Sequence, residues 1–254
     1  MKREESFEIG DHGELVVVTS ASNILLTEGE PGRIDVVLDG KEAALDLFDI
    51  TQVGDLVSIQ MRKDAGRRWI SPRVRIAVSL PAGSDVDIKT ASGDILGSVD
   101  TGQLFVASAS GDARFGDVSK KAKIKTASGD VFIGDVAGDF QGVSASGDFR
   151  IDTVSGELTV TTASGDIFVD GAGGRTTAKS ASGDITIGLF SGPAVSALSM
   201  SGDIAVGLAP GMSIEAELAT MSGSLRNNVT PSEEEPTKRA TLRVKTMSGD
   251  ITLR

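Results

Sequence analysis

The feature that most constrains this chain is a serine–glycine–aspartate triplet that returns every 18 residues. Its glycine stands at Gly93, Gly111, Gly129, Gly147, Gly165 and Gly183, then at Gly202, Gly223 and Gly249 after steps of 19, 21 and 26. A fixed period of this length marks one coil of a solenoid, because a unit so short cannot bury a core alone and must stack on copies of itself. A weaker glycine recurs half a period later, at Gly102, Gly138, Gly156, Gly174, Gly192 and Gly211, so each coil divides into two similar halves.

Between the glycines, apolar residues hold fixed offsets: Phe149, Ile151, Val154, Leu158, Val160 and Ala163 in one coil, Val131, Ile133, Val136, Phe140, Val143 and Ala145 in the coil before. The spacing contains the strand period of two and never the helical 3.6. Alike residues one coil apart predict parallel, in-register strands about 4.8 Å apart. The expected fold is all-β: a single-stranded parallel β-solenoid of 18-residue coils over residues 86–254, continuous with an N-terminal antiparallel β cap over residues 1–85. The cap region lacks the period but alternates at Glu14–Thr19, Arg33–Leu38, Leu56–Met61 and Val74–Ser79, and Thr19–Ile24 reads as a degenerate repeat turn. A cap is expected there because an uncovered sheet edge invites aggregation.

Two further columns carry expectations. The third residue before each glycine is Thr or Ser throughout, from Thr90 to Thr246, and by alternation faces solvent as a hydroxyl array. The second is Ala from Ala91 to Ala181, then Met at Met200, Met221 and Met247, expected to fill a wider interior. Residues Asn227–Lys238 are polar and Pro-bounded, the composition of a protruding loop. Nothing in sequence follows the Gly249 coil to cover it, so a homo-oligomer through the C-terminal rung is expected.

From Val74 to Ile95, reading VRIAVSLPAGSDVDIKTASGDI, through the Ser-Gly-Asp coils to KTMSGDITL at the C-terminus, the chain resembles the bacterial β-strand-repeat family known as putative adhesins, or toastrack-like proteins. The resemblance implies a single-stranded β-helix in proteins often linked to the cell envelope or its stress responses, with no known enzymatic activity.

Asp follows the repeat glycine at Asp94, Asp112, Asp130, Asp148, Asp166, Asp184, Asp203 and Asp250, with Ser224 the exception. A calcium β-roll would need carboxylates and glycine carbonyls from both half-coils, whereas the second half offers Thr101, Glu157, Arg175 or Pro193. The expected role of these Asp residues, with the nine repeat glycines, is structural: each Asp bonds the backbone of its own turn. The single histidine, His12, lies outside every repeat feature, so no Ser/His/Asp constellation forms. The coils from Gly93 to Gly183 carry no insertions that could wall a saccharide-cleaving groove. With no cysteine, thiol catalysis and Cys-ligated zinc are excluded, and no cofactor or metal is expected.

A net charge of −11 disfavours nucleic acid and anionic lipid. The one basic patch in this reading is Arg62, Lys63, Arg67, Arg68 and Trp69, with Arg73 and Arg75, around an Asp64-Ala65-Gly66 hairpin tip; it is the candidate docking site for an acidic partner. No apolar run long enough for a signal sequence or transmembrane helix is present, so a cytoplasmic protein without direct membrane insertion is expected, or one reaching the envelope through a partner. The function expected is a noncatalytic scaffold or protein-interaction module whose protein partner the sequence does not name. The alternatives are a glycan- or surface-binding adhesin and, less favoured, a polysaccharide-active enzyme.

Overall fold

The computed structural model describes residues 1–62, 74–229 and 238–254, which form two compact units, Met1–Phe132 and Ile133–Arg254. The first unit contains β1 (Lys2–Glu8), β2 (Glu14–Val18), β3 (Asn23–Glu28), β4 (Arg33–Asp39), a single helical turn at Glu42–Leu45, β5 (Phe48–Val53), β6 (Leu56–Met61), β7 (Arg75–Leu80), β8 (Ser84–Lys89), β9 (Ile95–Gly97), β10 (Thr101–Ala107), β11 (Ala113–Phe115) and β12 (Ala122–Lys125). Strand β13 (Val131–Ile133) spans the boundary in sequence. The second unit contains β14 (Phe140–Val143), β15 (Phe149–Val154), β16 (Leu158–Thr161), β17 (Ile167–Ala172), β18 (Thr176–Lys179), β19 (Ile185–Phe190), β20 (Ala194–Leu198), β21 (Ile204–Leu208), β22 (Met212–Ser222), β23 (Leu225–Asn227), β24 (Lys238–Ser248) and β25 (Ile251–Leu253).

Within each unit every coil gives one strand to each of two sheets, and successive coils pair in parallel at the predicted 18-residue register. Phe105 faces Asp87 on one side and Lys123 on the other; Phe168 sits between Arg150 and Thr186. The buried residues of one coil stack on those of the next, so that Phe149, Ile151 and Val154 stack under Ile167, Val169 and Ala172, and these under Ile185, Ile187 and Phe190. The opposite inner wall alternates large and small side chains. Phe140 meets Phe149 edge to face at 6.2 Å, and Gly142 leaves the space that Phe149 fills. The fold is therefore an all-β solenoid, with the antiparallel strands among the described residues lying in its N-terminal region.

That region differs from the expected cap in one respect. Strands β2 and β3 are a true coil, parallel to β8 and β9, and β6 and β7 pair parallel to β2 and β3 beyond them. Among the described residues only β1, β4 and β5 run antiparallel to their neighbours. Parallel pairing thus runs through residue 85 without a break. Ser22 occupies the glycine position of the degenerate turn and Asn23 the aspartate position, since Asn23 Oδ1 accepts the Asp94 N–H at 3.2 Å.

The C-terminal rung is a second correction. The spatial order of one sheet is β19–β21–β25–β23 and of the other β18–β20–β24–β22. The last strands in sequence are inserted between two earlier coils, so Ile251 and Leu253 are buried and the outermost coil is β22–β23.

The hydroxyl and methionine columns exchange faces relative to expectation. Thr90, Ser144, Thr162, Ser180, Ser199 and Thr246 are buried, while Met200, Met221 and Met247 are exposed. The turn shifts the two-residue alternation, and all of these buried hydroxyls but that of Thr162 bond turn backbone. Ser180 Oγ donates to Gly165 O at 3.2 Å, Ser199 Oγ to Gly183 O at 3.2 Å and Thr246 Oγ1 to Gly202 O at 3.1 Å. An apolar residue at this position would leave the carbonyl without that donor.

Candidate interaction surface

The repeat turns account for the most abundant polar chemistry of the chain. In the second unit Asp148, Asp166, Asp184 and Asp203 each place Oδ1 2.8 Å from the backbone N of the next Asp in the stack, and Asp250 accepts from Ser224 N at 2.8 Å. The first unit repeats this at Asp94 and Asp112, whose Oδ1 atoms accept from Asp112 N and Asp130 N at 3.1 Å. The donor is thus the neighbouring coil's turn, not the carboxylate's own. Like charges come close together, but each carboxylate accepts a charge-assisted bond and remains exposed to screening water.

The repeat glycines stand where the backbones of adjacent turns touch. A Cβ at Gly165 would lie 2.2 Å from Gly147 O, and one at Gly111, whose φ is 105°, would lie 2.4 Å from Gly93 O. No side chain fits there. In the same column Gly249 sits against Gly202, and Gly223 against Gly249.

Of the basic patch expected near the hairpin, Arg62 is described and pairs with Asp49 at 3.8 Å, while Lys63, Arg67, Arg68 and Trp69 lie outside the described residues. Arg75 lies on β7 opposite Asp39, and both line a depression of about 700 Å³ with Asn23 and Ser92. Its charges oppose one another. His12 is exposed.

A second basic surface, absent from the sequence reading, lies on the outward face of β8, β10 and β12. Residues 120–125 read Lys-Lys-Ala-Lys-Ile-Lys, and alternation buries Ala122 and Ile124 while turning Lys121, Lys123 and Lys125 outward. Register then assembles the face: Lys123 stands over Phe105 and Asp87, and Lys125 over Ala107 and Lys89. These residues line a depression of about 350 Å³ with Phe105 at its base. Lys121 Nζ sits 5.3 Å from the Phe105 ring centroid, a cation–π contact. Lys89 is held by Asp87 at 2.9 Å and Lys120 by Asp85 at 3.2 Å. No ion pair among the described residues engages Lys123 or Lys125. The signal that finds this face is the 18-residue period applied to Asp87, Phe105 and Lys123, positions that look unrelated until they are stacked.

In the second unit the outward hydroxyls are Thr159, Thr177 and Ser196, in register on β16, β18 and β20. At the outermost coil Glu217 of β22 is bonded by Lys245 and lies 3.4 Å from Arg243, both on β24. The Lys245 hydrogen bond, aided by the charges of Lys245 and Arg243, holds the Glu217 carboxyl below the usual carboxylate range. No group of three or more His, Cys, Asp or Glu side chains able to hold a metal ion is found among the described residues.

Stacked parallel coils, glycine turns bonded from coil to coil and antiparallel N-terminal strands define a β-solenoid of the toastrack class. The chain belongs to the Toastrack DUF4097 family, whose model matches residues 12–254. It matches no curated protein. Among solved structures it is similar to a putative adhesin from Bacteroides fragilis, at 14% identity and TM-score 0.48, with 100% of this chain and 97% of that one covered. It is also similar to a putative lipid binding protein from Parabacteroides distasonis, at 14% identity and TM-score 0.47, covering 100% and 96%. These likenesses are too distant to bear on function. No described helix is long and apolar enough to cross a membrane.

Proposed function

We propose that this protein is a noncatalytic interaction module in which the lysine face of β8, β10 and β12 receives an acidic segment of a protein partner. The observation that supports this most strongly is that Lys123 and Lys125 flank the depression over Phe105 with no ion pair to either among the described residues, its lining carboxylate Asp87 being held by Lys89, in a chain of net charge −11. Such an isolated positive face steers an acidic ligand and sets its register, while Phe105 offers an apolar anchor at the centre. The Asp column is occupied by turn backbone, which leaves the outward sheet faces as the surfaces for recognition.

The test is fluorescence anisotropy of a labelled peptide alternating Glu and Val, titrated with the full chain. The expected result is saturable binding that weakens as salt rises and falls at least tenfold in Lys123→Glu/Lys125→Glu, with melting temperature unchanged. Equal binding by that variant, or none by either protein, sinks the reading. A second reading, glycan binding, draws on the Thr159, Thr177 and Ser196 column, and a glycan array on the same protein separates the two. Association with the envelope through such a partner is part of the proposal, tested by cell fractionation with and without the charge reversal.

A further inference from the structure

Three methionines stand in the one place where a solenoid has no structural use for them. Met200, Met247 and Met221 occupy the second position before the repeat glycine, and they are 57%, 50% and 81% exposed. The five coils before them in chain order from Gly111 to Gly183 use alanine at the same position. Chain order would separate Met200 from Met247 by a whole coil. The inserted C-terminal strands instead place Met247 between the other two. Ser201 bridges Ser248, Met200 O accepts the Ser248 N–H at 3.0 Å, and β22 pairs with β24 so that Thr220 faces Thr246 and Ser222 faces Ser248. Three thioether side chains are thereby stacked in consecutive coils, with backbones about 4.8 Å apart.

The surroundings argue against an apolar docking patch. On the exposed side each methionine is followed by a serine, Ser201, Ser222 and Ser248, while Ser199 and Thr246 before two of them turn inward. A protein-binding surface would be expected to extend over several hundred Å² of contiguous apolar area. What the column does supply is a rigid base and free side chains. Ser199, Thr246 and Thr220 anchor the backbone below by donating to Gly183 O, Gly202 O and Gly249 O at 3.2, 3.1 and 3.0 Å. The unbranched side chains, with three rotatable bonds each, are free to lean toward the central one.

We propose that Met200, Met247 and Met221 form an all-thioether site for a soft monovalent d10 cation, Cu(I) or its analogue Ag(I). Neutral thioethers select such ions, while harder divalent cations prefer oxygen or imidazole ligands. The bond made is simple coordination of three sulfur lone pairs to the ion, with no proton or electron transferred. The acidic chain raises the local concentration of cations without supplying a competing ligand. The site is independent of the lysine face, which lies on strands of the other unit.

The test is an anaerobic titration of the full chain with Cu(I) against a chromogenic chelator, run on the wild type, on Met247→Leu and on Met200→Leu/Met221→Leu/Met247→Leu. Leucine keeps volume and apolarity, so the fold is retained, which circular dichroism checks. The triple variant still contains Met1, Met61 and Met212, which controls for scattered thioether binding. The expected result is one Cu(I) per wild-type chain, affinity at least tenfold weaker in Met247→Leu and no binding in the triple variant. X-ray absorption should show sulfur alone around the metal, and Ag(I) should raise the melting temperature only of the wild type. Failure of the wild type to take Cu(I) from the chelator, equal uptake by the triple variant, or nitrogen and oxygen ligands in the absorption spectrum would overturn the assignment.

Discussion

Replacing Gly165 with alanine tests the stacking of the turns where it is tightest. The new Cβ would lie 2.2 Å from Gly147 O, 2.7 Å from its carbonyl carbon and 3.0 Å from Thr162 Oγ1. The first two are backbone atoms that cannot rotate away, so the coils must part. Parting them stretches the bonds from Ser164 N to Ala145 O at 2.9 Å and from Asp166 N to Asp148 Oδ1 at 2.8 Å. Overpacking of this kind costs about 1–3 kcal/mol, and two weakened hydrogen bonds add about 1 kcal/mol. Reduced entropy of the unfolded chain returns about 0.5 kcal/mol. The net is a loss of about 1.5–3.5 kcal/mol, or a melting temperature lower by about 3–14 °C for a chain of this size. Gly116→Ala is the control, since its Cβ would meet only Asp100 Oδ1, at 3.5 Å, and no positive φ opposes it. That variant should match or slightly exceed the wild type. Urea and thermal unfolding of the pair decide the matter: a Gly165→Ala protein within about 0.5 kcal/mol of Gly116→Ala would refute the close-approach argument.

Two further outcomes are expected. The Glu217 carboxylate, with its affinity for protons lowered in the folded state, stabilises the β22–β24 pairing above its unfolded pKa and loses that contribution as pH falls through the lower folded value; carbon-detected NMR should give a midpoint below that of a free glutamyl peptide, and Lys245→Met should raise it. The outermost coil, with neighbours on one side of β22 and β23 among the described residues and Leu225 52% exposed, should associate with a second copy. Light scattering should show mass rising with concentration for the wild type and a constant monomer for Leu225→Lys, and a wild type that stays monomeric at millimolar concentration speaks against association through this edge.

The coil period, the parallel register and most of the core were legible in the sequence because a repeat prints its own stacking. Phe149, Ile151 and Val154 recur as Ile167, Val169 and Ala172, and such recurrence has one physical cause. What was not legible depended on the turns and on the ends. Period-two alternation fails across a tight turn, which is why the Ser180 column went inward and the Met247 column outward. Chain order is not spatial order at the C-terminus, because β24 and β25 return inside β22 and β23, a threading that no local sequence pattern announces. Lys123 and Phe105 were overlooked for the opposite reason. Their surface exists only after coils 18 residues apart are laid side by side, whereas the charges near Arg62 are clustered in the sequence itself.

The claim on which the rest depends is that the repeat's acidic column belongs to the stacking of the coils, leaving recognition to the outward faces. The most direct measurement is the thermal stability of Asp166→Asn/Asp184→Asn/Asp203→Asn beside the corresponding triple Ala variant, each in millimolar calcium and in EDTA. Asn keeps an oxygen for the N–H of Asp184, the N–H of residue 203 and that of Asp250, and it removes three neighbouring negative charges. The account predicts an Asn variant as stable as the wild type or slightly more so, an Ala variant weaker by about 1 kcal/mol per lost bond, and no response to calcium in any of them. A wild type whose melting temperature rises by ten degrees in calcium, with that rise abolished in the Asn variant, would contradict it and make the column a metal site.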